Sequence, residues 1–166
     1  MAVETVKIQG LEGVMKALKE LPPELVSRRG GPVRTALRNA SKILVEEAKA
    51  NVQRIIDAPN IDGMPTKSIG HLQANIITVR DSKMRARGER YYVRVRRKRY
   101  PDNRTTKTAT GVGALLEHGT ERRRPMPWLR PAFDAKKNEV VQFFPREINR
   151  QLDRITKKLA RQNGVA

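Results

Sequence analysis

Two histidines and a pair of neighbouring carboxylates are the side chains that most suggest catalysis. His71 and His118 stand far apart, and neither has further ligands at the spacing that metal sites use. Glu46 and Glu47 are adjacent on a predicted helix, so their side chains point about 100° apart and do not form an acid–base pair. The chain has no cysteine to act as a nucleophile or as a thiolate ligand. The sequence therefore predicts a protein that is not an enzyme and holds no metal and no cofactor.

A glycine-rich stretch at residues 110–113 (TGVG) is a second motif that could bind a small ligand. Phosphate-binding loops carry a lysine after the glycines and follow a strand. This stretch lacks the lysine, and no clear strand leads into it, so we interpret it as a hinge.

Positive charge is the strongest chemical signal. The 166 residues include 35 Lys and Arg against 17 Asp and Glu, a formal net charge of +18. Residues 80–107 hold twelve basic and three acidic residues, so half of the excess lies in one sixth of the chain. Such a charge favours nucleic acid or an acidic protein as a partner. The residues predicted to contact DNA or a protein partner are Arg94, Arg96, Arg97, Lys98, Arg99, Arg104 and Lys107.

Two interpretations of these basic residues remain open. Arginines on the outer face of a strand, with Tyr92 and Tyr100 nearby, could bind phosphates and stack on bases. A solvated sheet face, or a surface that meets an acidic neighbour, would explain the same residues, and aromatic residues make up only 4% of the chain. The run from Arg122 to Arg124 fits either interpretation. A basic nucleic-acid-binding module is therefore the alternative function.

Apolar periodicity predicts two long helices. The first begins near Pro32 and carries one stripe at spacings of three and four. The second occupies residues 129–163, where Pro145 predicts a kink or break near Val141, because a proline inside a helix costs about 3 kcal/mol. The first stripe consists of Val33, Leu37, Ala40, Leu44, Ala48, Val52 and Ile55, and the second of Val141, Phe144, Ile148, Leu152, Ile155 and Leu159.

Strand patterns lie between the two helices. Residues 74–80 are rich in β-branched side chains, and residues 91–97 alternate apolar with polar positions. The charged connection between them predicts a hairpin. A short strand at residues 3–8 and a helix at residues 11–21 precede the first long helix, and residues 98–112 predict a flexible loop.

These elements predict the α+β class, with a small antiparallel sheet packed by two long helices and a long basic loop. The length and the 38% hydrophobic content suit a single domain over residues 1–166. The N-terminus has no signal-peptide pattern, and no apolar stretch approaches the roughly 20 residues that cross a bilayer. We therefore expect a soluble protein made in the cytoplasm, without membrane contact.

Residues 114–135, ALLEHGTERRRPMPWLRPAFDA, indicate a rigid corner. Gly119 permits a tight turn or a positive φ. Thr120 can hydrogen-bond its own loop. Pro131 suits the first turn of the helix that follows. A corner of this kind would present a defined edge to a neighbouring subunit.

Two aromatic residues of the corner are expected to hold the C-terminal helix in place. Trp128 and Phe133 can anchor that helix on the sheet, because aromatic side chains bury a large apolar area. Pro127 fixes φ immediately before Trp128. The sequence thus predicts that both aromatic side chains are buried.

This segment resembles a family of tailed-phage proteins named after gene product ten of a lambdoid phage, whose members are minor tail or tail-completion components. In that family a strand ends in Glu-x-Gly-Thr, and Pro-aromatic-x-Arg-Pro-Ala opens a long C-terminal helix. The order of the other predicted elements agrees along nearly the whole chain. The matching residues are Glu117, Gly119, Thr120, Pro127, Trp128, Leu129, Arg130, Pro131 and Ala132.

The resemblance implies a structural virion protein of a tailed phage, assembled in the host cytoplasm. Its copies would form a ring, six-fold in the expected case, at the neck or at the head-proximal end of the tail. The neighbours would be head-closure or connector proteins and tail-tube or tail-terminator proteins, and genomic DNA would pass through the lumen. The residues expected to form or shape the interface are Glu117, Gly119, Thr120, Pro127, Trp128, Arg130 and Pro131.

Overall fold

The computed structural model describes residues 31–58, 70–81, 89–101 and 107–162. The strand predicted at residues 3–8 and the helix predicted at residues 11–21 lie outside the described residues. The α+β class is confirmed, with a two-stranded sheet and two long helices. The elements are α1 (Pro32–Asp57), α2 (His71–Ala74), β1 (Ile76–Arg80), β2 (Tyr91–Val95), α3 (Ala109–His118) and α4 (Leu129–Gln162).

The two strands form the predicted antiparallel pair, in a register that runs from Ile76 opposite Val95 to Arg80 opposite Tyr91. Strand β2 alternates as its sequence predicts, with Arg94 exposed and Val95 packed against the core. Strand β1 begins two residues later than predicted, because the short helix α2 occupies residues 71–74. Gly70 opens that helix with a φ of 67°, a conformation that glycine adopts without steric cost.

The chain divides into two compact units, Ser41–Lys137 and the pair of segments Met1–Ala40 and Asn138–Ala166. In the first unit, buried residues from both long helices pack with residues of α2 and β1 around one core. Partly buried residues of β2 and α3 pack against that core. The buried residues are Val45, Ala48, Val52, Leu72, Ile76, Trp128 and Ala132.

In the second unit, Ala36 and Ile148 are fully buried, and Phe144 packs against them. The buried Glu147 accepts hydrogen bonds from Asn39 Nδ2 at 2.9 Å and from Gln151 Nε2 at 2.7 Å. The Gln151 bond lowers the pKa of Glu147, and burial opposes this without cancelling it. The carboxylate therefore stays ionised inside the unit.

Helix α4 is continuous across Pro145, so the chain does not break near Val141. Proline removes one backbone hydrogen bond from the helix interior, but Phe144 and Ile148 on either side of it pack in the same apolar cluster. Burial on both sides of the proline offsets the lost bond. In the described ranges no helix is long and apolar enough to cross a membrane.

The buried face of α1 differs from the predicted stripe at two positions. Ala40, Ala48 and Val52 are buried as expected, but Ala36 and Val45 are buried where Leu37 and Leu44 were predicted. Alanine allows closer approach of a neighbouring element than leucine does. The hydrophobicity of the side chains alone therefore does not predict which of these positions is most buried.

Residues 98–112 do not form one flexible loop, so that expectation is wrong for the residues described. Arg99 pairs with Thr108 in an isolated antiparallel bridge, and α3 begins at Ala109. The Thr108 side chain accepts a hydrogen bond from the Gly111 N–H and caps the helix, which makes the TGVG stretch a first helical turn and not a hinge. Residues 102–106 lie outside the described residues.

Candidate functional site

The side chain of Glu117 joins the end of α3 to the beginning of α4. Glu117 lies in the last turn of α3, where the resemblance implied the end of a strand; that expectation is wrong. Its Oε2 accepts hydrogen bonds from the backbone N–H groups of Trp128 and Leu129, both at 2.8 Å. Its Oε1 accepts the N–H of Arg130 at 3.1 Å. One carboxylate thus satisfies three of the amide groups that a helix N-terminus leaves unpaired.

This carboxylate is charged although only 7% of the residue is exposed. Burial raises the pKa of Glu117, but the three backbone N–H groups and the Arg130 guanidinium together lower it below the ordinary value. The Arg130 Nε lies 3.7 Å from Oε1. The positive end of the α4 dipole adds to the same effect. The negative charge therefore holds the corner together at neutral pH.

Trp128 fixes the other side of the corner. Its ring is 3% exposed, and its indole Nε1 donates a hydrogen bond to the Gly113 carbonyl at 2.9 Å. The Asn51 side chain on α1 donates to the Trp128 carbonyl at 2.9 Å. Gly113 leaves room for this arrangement, because a Cβ there would lie 3.1 Å from a Leu72 methyl and 3.3 Å from the indole ring. The predicted anchoring role of Trp128 is confirmed.

The turn after α3 needs glycine. Gly119 has φ 74° and ψ −170°, a combination that glycine alone adopts readily. Its N–H donates to the Leu115 carbonyl and ends the helix. Thr120 then pairs with Arg123, and the Thr120 hydroxyl accepts the Arg122 N–H at 3.3 Å. The sequence predictions for Gly119 and Thr120 are both confirmed.

Replacing Gly119 with alanine is expected to lower the free energy of unfolding by about 2 kcal/mol, since the residue would be held in a glycine-only conformation. A Cβ would also lie 2.7 Å from the Arg123 carbonyl oxygen and 2.8 Å from the Pro125 nitrogen. Urea denaturation measures the change. Gly111→Ala is the matched control and should be neutral or stabilising, because Gly111 lies in a helix with space around it. Equal effects of the two substitutions would refute this role for Gly119.

Several other side chains of the corner face solvent. Pro127, Arg130 and Pro131 are exposed. Phe133 is 55% exposed, so the prediction that it anchors α4 on the sheet is wrong. Its position is five residues after Trp128, which places it on another side of the helix. An exposed phenylalanine in the first turns of α4 is a group that the fold itself does not use.

A second exposed apolar side chain lies on α3. Leu115 is 45% exposed and stands one helical turn before His118. Arg130 Nη2 lies 3.2 Å from His118 Nδ1, which brings the exposed side of α3 next to the first turn of α4. The Arg130–His118 contact therefore joins α3, which carries Leu115, to the first turn of α4.

The basic residues predicted to contact a partner lie outside residues 114–135 of the corner. The strand and the segment after it present their cations to solvent, and Arg104 lies outside the described residues. We define the basic surface by the six described members, which are all exposed: Arg94, Arg96, Arg97, Lys98, Arg99 and Lys107.

Backbone hydrogen bonds fix this segment. The Arg96 N–H donates to the Asn75 carbonyl at 2.9 Å, which extends the pairing of the two strands. The Lys98 N–H donates to the Arg96 carbonyl at 2.9 Å, so Arg97 stands at the tip of a three-residue turn. The Lys98 carbonyl then accepts the Ala109 N–H at 2.8 Å. The cations thus extend from a defined backbone.

The residues considered for catalysis do not come together. Among the described residues, no group of three or more histidine and carboxylate side chains could hold a metal ion. The His71 ring packs against Tyr100 with centroids 4.5 Å apart, and the buried His71 Nε2 has no hydrogen-bond partner. Burial raises the pKa of Tyr100.

Three residues that support the corner from outside it were missed by sequence reasoning. Asn51 gave no signal, because a polar residue on a helix is normally solvated. Thr108 could have been identified as a helix cap, since threonine is a preferred capping residue. Gly113 reduced the helical signal of α3, because glycine inside a helix costs about 1 kcal/mol. The close approach of Trp128 explains its presence.

No protein-family model matches this chain, and the comparisons found neither a similar curated protein nor a similar solved structure.

Proposed function

We propose that this chain is a structural virion protein of a tailed phage, a tail-completion or head–tail joining subunit that forms a ring at the neck or at the head-proximal end of the tail. The observation that carries the proposal is the resemblance of the segment from Glu117 to Ala132 to the tail-completion family described above. Its function would be positional, without turnover, metal or cofactor.

The way the corner divides between buried and exposed residues supports this proposal. Glu117, Gly119 and Trp128 are used inside the fold to fix the turn and the start of α4. Arg130 and Phe133 are left on the surface. A ring closes only if each subunit presents its contact surface at a fixed angle. A corner made rigid from within would meet that requirement.

The chemistry of the exposed groups also suits a subunit contact. Aromatic residues and arginine are enriched where protein surfaces meet, and charged residues other than arginine are depleted. Phe133, Leu115 and Arg130 supply these groups beside the corner. The adjoining copy in the ring, or the next protein along the tail, is the partner that we propose for them.

The test is electron microscopy of lysates from a phage that carries a nonsense mutation in this gene. The expected result is DNA-filled heads and full-length tails that remain separate, because the joining ring is missing. Expression of the wild-type chain from a plasmid in the same host should restore joined particles, and this control excludes effects on downstream genes.

Two outcomes would overturn the proposal. Normal, infectious particles without the protein would discard a joining role, and a defect in replication or gene expression would instead support a nucleic-acid-binding module. A protein that is monomeric both in solution and in the virion, as measured by native mass spectrometry and by copy number per particle, would discard the ring.

A further inference from the structure

Five residues of the basic surface carry charge that the described part of the protein does not neutralise. The side chains of Arg94, Arg96, Arg97, Lys98 and Arg99 are exposed, and within the described ranges none of these five forms an ion pair. No acidic residue occurs between Tyr91 and Pro101. Neighbouring cations repel one another, so this cluster costs stability unless a ligand neutralises it.

At the opposite end of the hairpin, the described residues form two ion pairs. There the Arg80 guanidinium donates to Glu89, and the Arg90 guanidinium donates to Asp81. Acidic residues are thus used where the strands enter their connection and are missing where β2 leaves the sheet. Among the described residues of the hairpin, the cations without an ion pair lie where β2 leaves the sheet.

We propose that the basic surface binds the phosphate backbone of duplex DNA without reading its sequence. The inference goes beyond the proposed function, since a ring subunit need not bind DNA and a DNA-binding protein need not form a ring. Four of the six residues are arginines, whose planar guanidinium matches phosphate oxygens in a bidentate geometry. The fixed backbone from Arg96 to Lys98 lowers the entropic cost of binding.

The composition of the surface favours nucleic acid over an acidic protein. A stable protein interface has an apolar centre from which charged residues are depleted. Nucleic-acid interfaces are more polar and much more positive. The basic surface adjoins one exposed large apolar side chain, Tyr92, whereas the other two in the described residues, Leu115 and Phe133, lie on α3 and α4.

The same residues favour duplex over single-stranded DNA. Proteins that bind single strands stack successive bases on aromatic side chains. Tyr100 is half-buried with its ring against His71, which leaves Tyr92 as the exposed tyrosine beside the arginines. A surface of cations with a single exposed ring is suited to a continuous row of phosphates.

The test compares two triple variants by fluorescence anisotropy with a labelled, mixed-sequence duplex. Arg94→Gln/Arg96→Gln/Arg97→Gln removes half of the basic surface. The matched control, Arg122→Gln/Arg123→Gln/Arg124→Gln, removes the same charge from exposed arginines of the corner turn. The first variant is expected to bind at least about tenfold more weakly. The slope of its log binding constant against log salt concentration, measured between about 50 and about 200 mM, should correspond to about three fewer phosphate contacts.

The control variant should bind within about threefold of the wild type. It keeps the proposed phosphate contacts, and the loss of three charges elsewhere weakens only the long-range attraction between the protein and DNA. Circular dichroism verifies that both variants are folded. Equal weakening in the two variants would overturn the proposal, as would wild-type protein that does not bind at low salt. Polyglutamate that displaces the duplex as well as unlabelled DNA does would assign the surface to an acidic protein instead. None of these outcomes bears on the joining role, because that role is tested by electron microscopy of phage particles.

Discussion

Replacing Trp128 with alanine is expected to lower the free energy of unfolding by about 4 kcal/mol. The indole ring is 3% exposed and lies in the main apolar cluster of the first unit. Its removal leaves a cavity and also leaves the Gly113 carbonyl without its Nε1 donor. The measurement is urea denaturation followed by far-UV circular dichroism, because Trp128 is the only tryptophan and its fluorescence would be lost.

Two further variants separate packing from hydrogen bonding and guard against complete unfolding. Trp128→Phe keeps an aromatic ring but removes the Nε1 donor, and it should cost about 2 kcal/mol. Phe133→Ala is the matched control, at the other aromatic residue of the corner. Because that ring is 55% exposed, its loss should change stability by no more than about 0.5 kcal/mol. A loss at Phe133 as large as that at Trp128 would contradict the assignment of the two rings.

Replacing Glu117 with alanine is expected to cost about 3 kcal/mol. The substitution leaves three backbone N–H groups of the α4 N-terminus without an acceptor, and hydrogen bonds to a charged group contribute about twice as much as neutral ones. Glu117→Gln retains an acceptor oxygen without the charge and should lose about half as much. The measurement is urea denaturation followed by tryptophan fluorescence. Because Glu117 accepts the Trp128 N–H, this signal reports unfolding at the corner itself.

The Glu117 effect should depend on pH. The folded-state pKa of Glu117 lies below its ordinary value of 4.5. The stabilisation is therefore complete above about pH 4.5 and is lost as the pH falls through the lower folded-state pKa. Below that range the stability of the wild type should approach that of Glu117→Gln.

The exposed acid Glu121 provides the control for this experiment. Glu121→Gln should behave like the wild type at every pH, because the residue is exposed in the turn. A difference between wild type and Glu117→Gln that is constant from neutral to acidic pH would show that the charge of Glu117 is not what stabilises the corner.

The sequence by itself determined the elements with a clear local period. Helix α1, the C-terminal helix and the antiparallel pairing of β1 with β2 all follow from spacings of side chains within one segment. The positive-φ turn at Gly119 is also a local property, because glycine has no Cβ that would clash in this conformation. The clustering of charge along the chain is also determined locally, and the basic cluster that begins at Arg94 is identified from the sequence alone.

Only the tertiary structure decided how these elements meet. Glu117 gave no sign in the sequence that its carboxylate would reach amide groups eleven to thirteen residues later. Trp128 and Phe133 are both aromatic, but the first ring lies in the core and the second is exposed to solvent. Gly113 weakens the local helical signal and is required by the approach of Leu72 and Trp128. Periodicity depends on neighbours along the chain, whereas burial depends on neighbours in space, and a single sequence reports only the first.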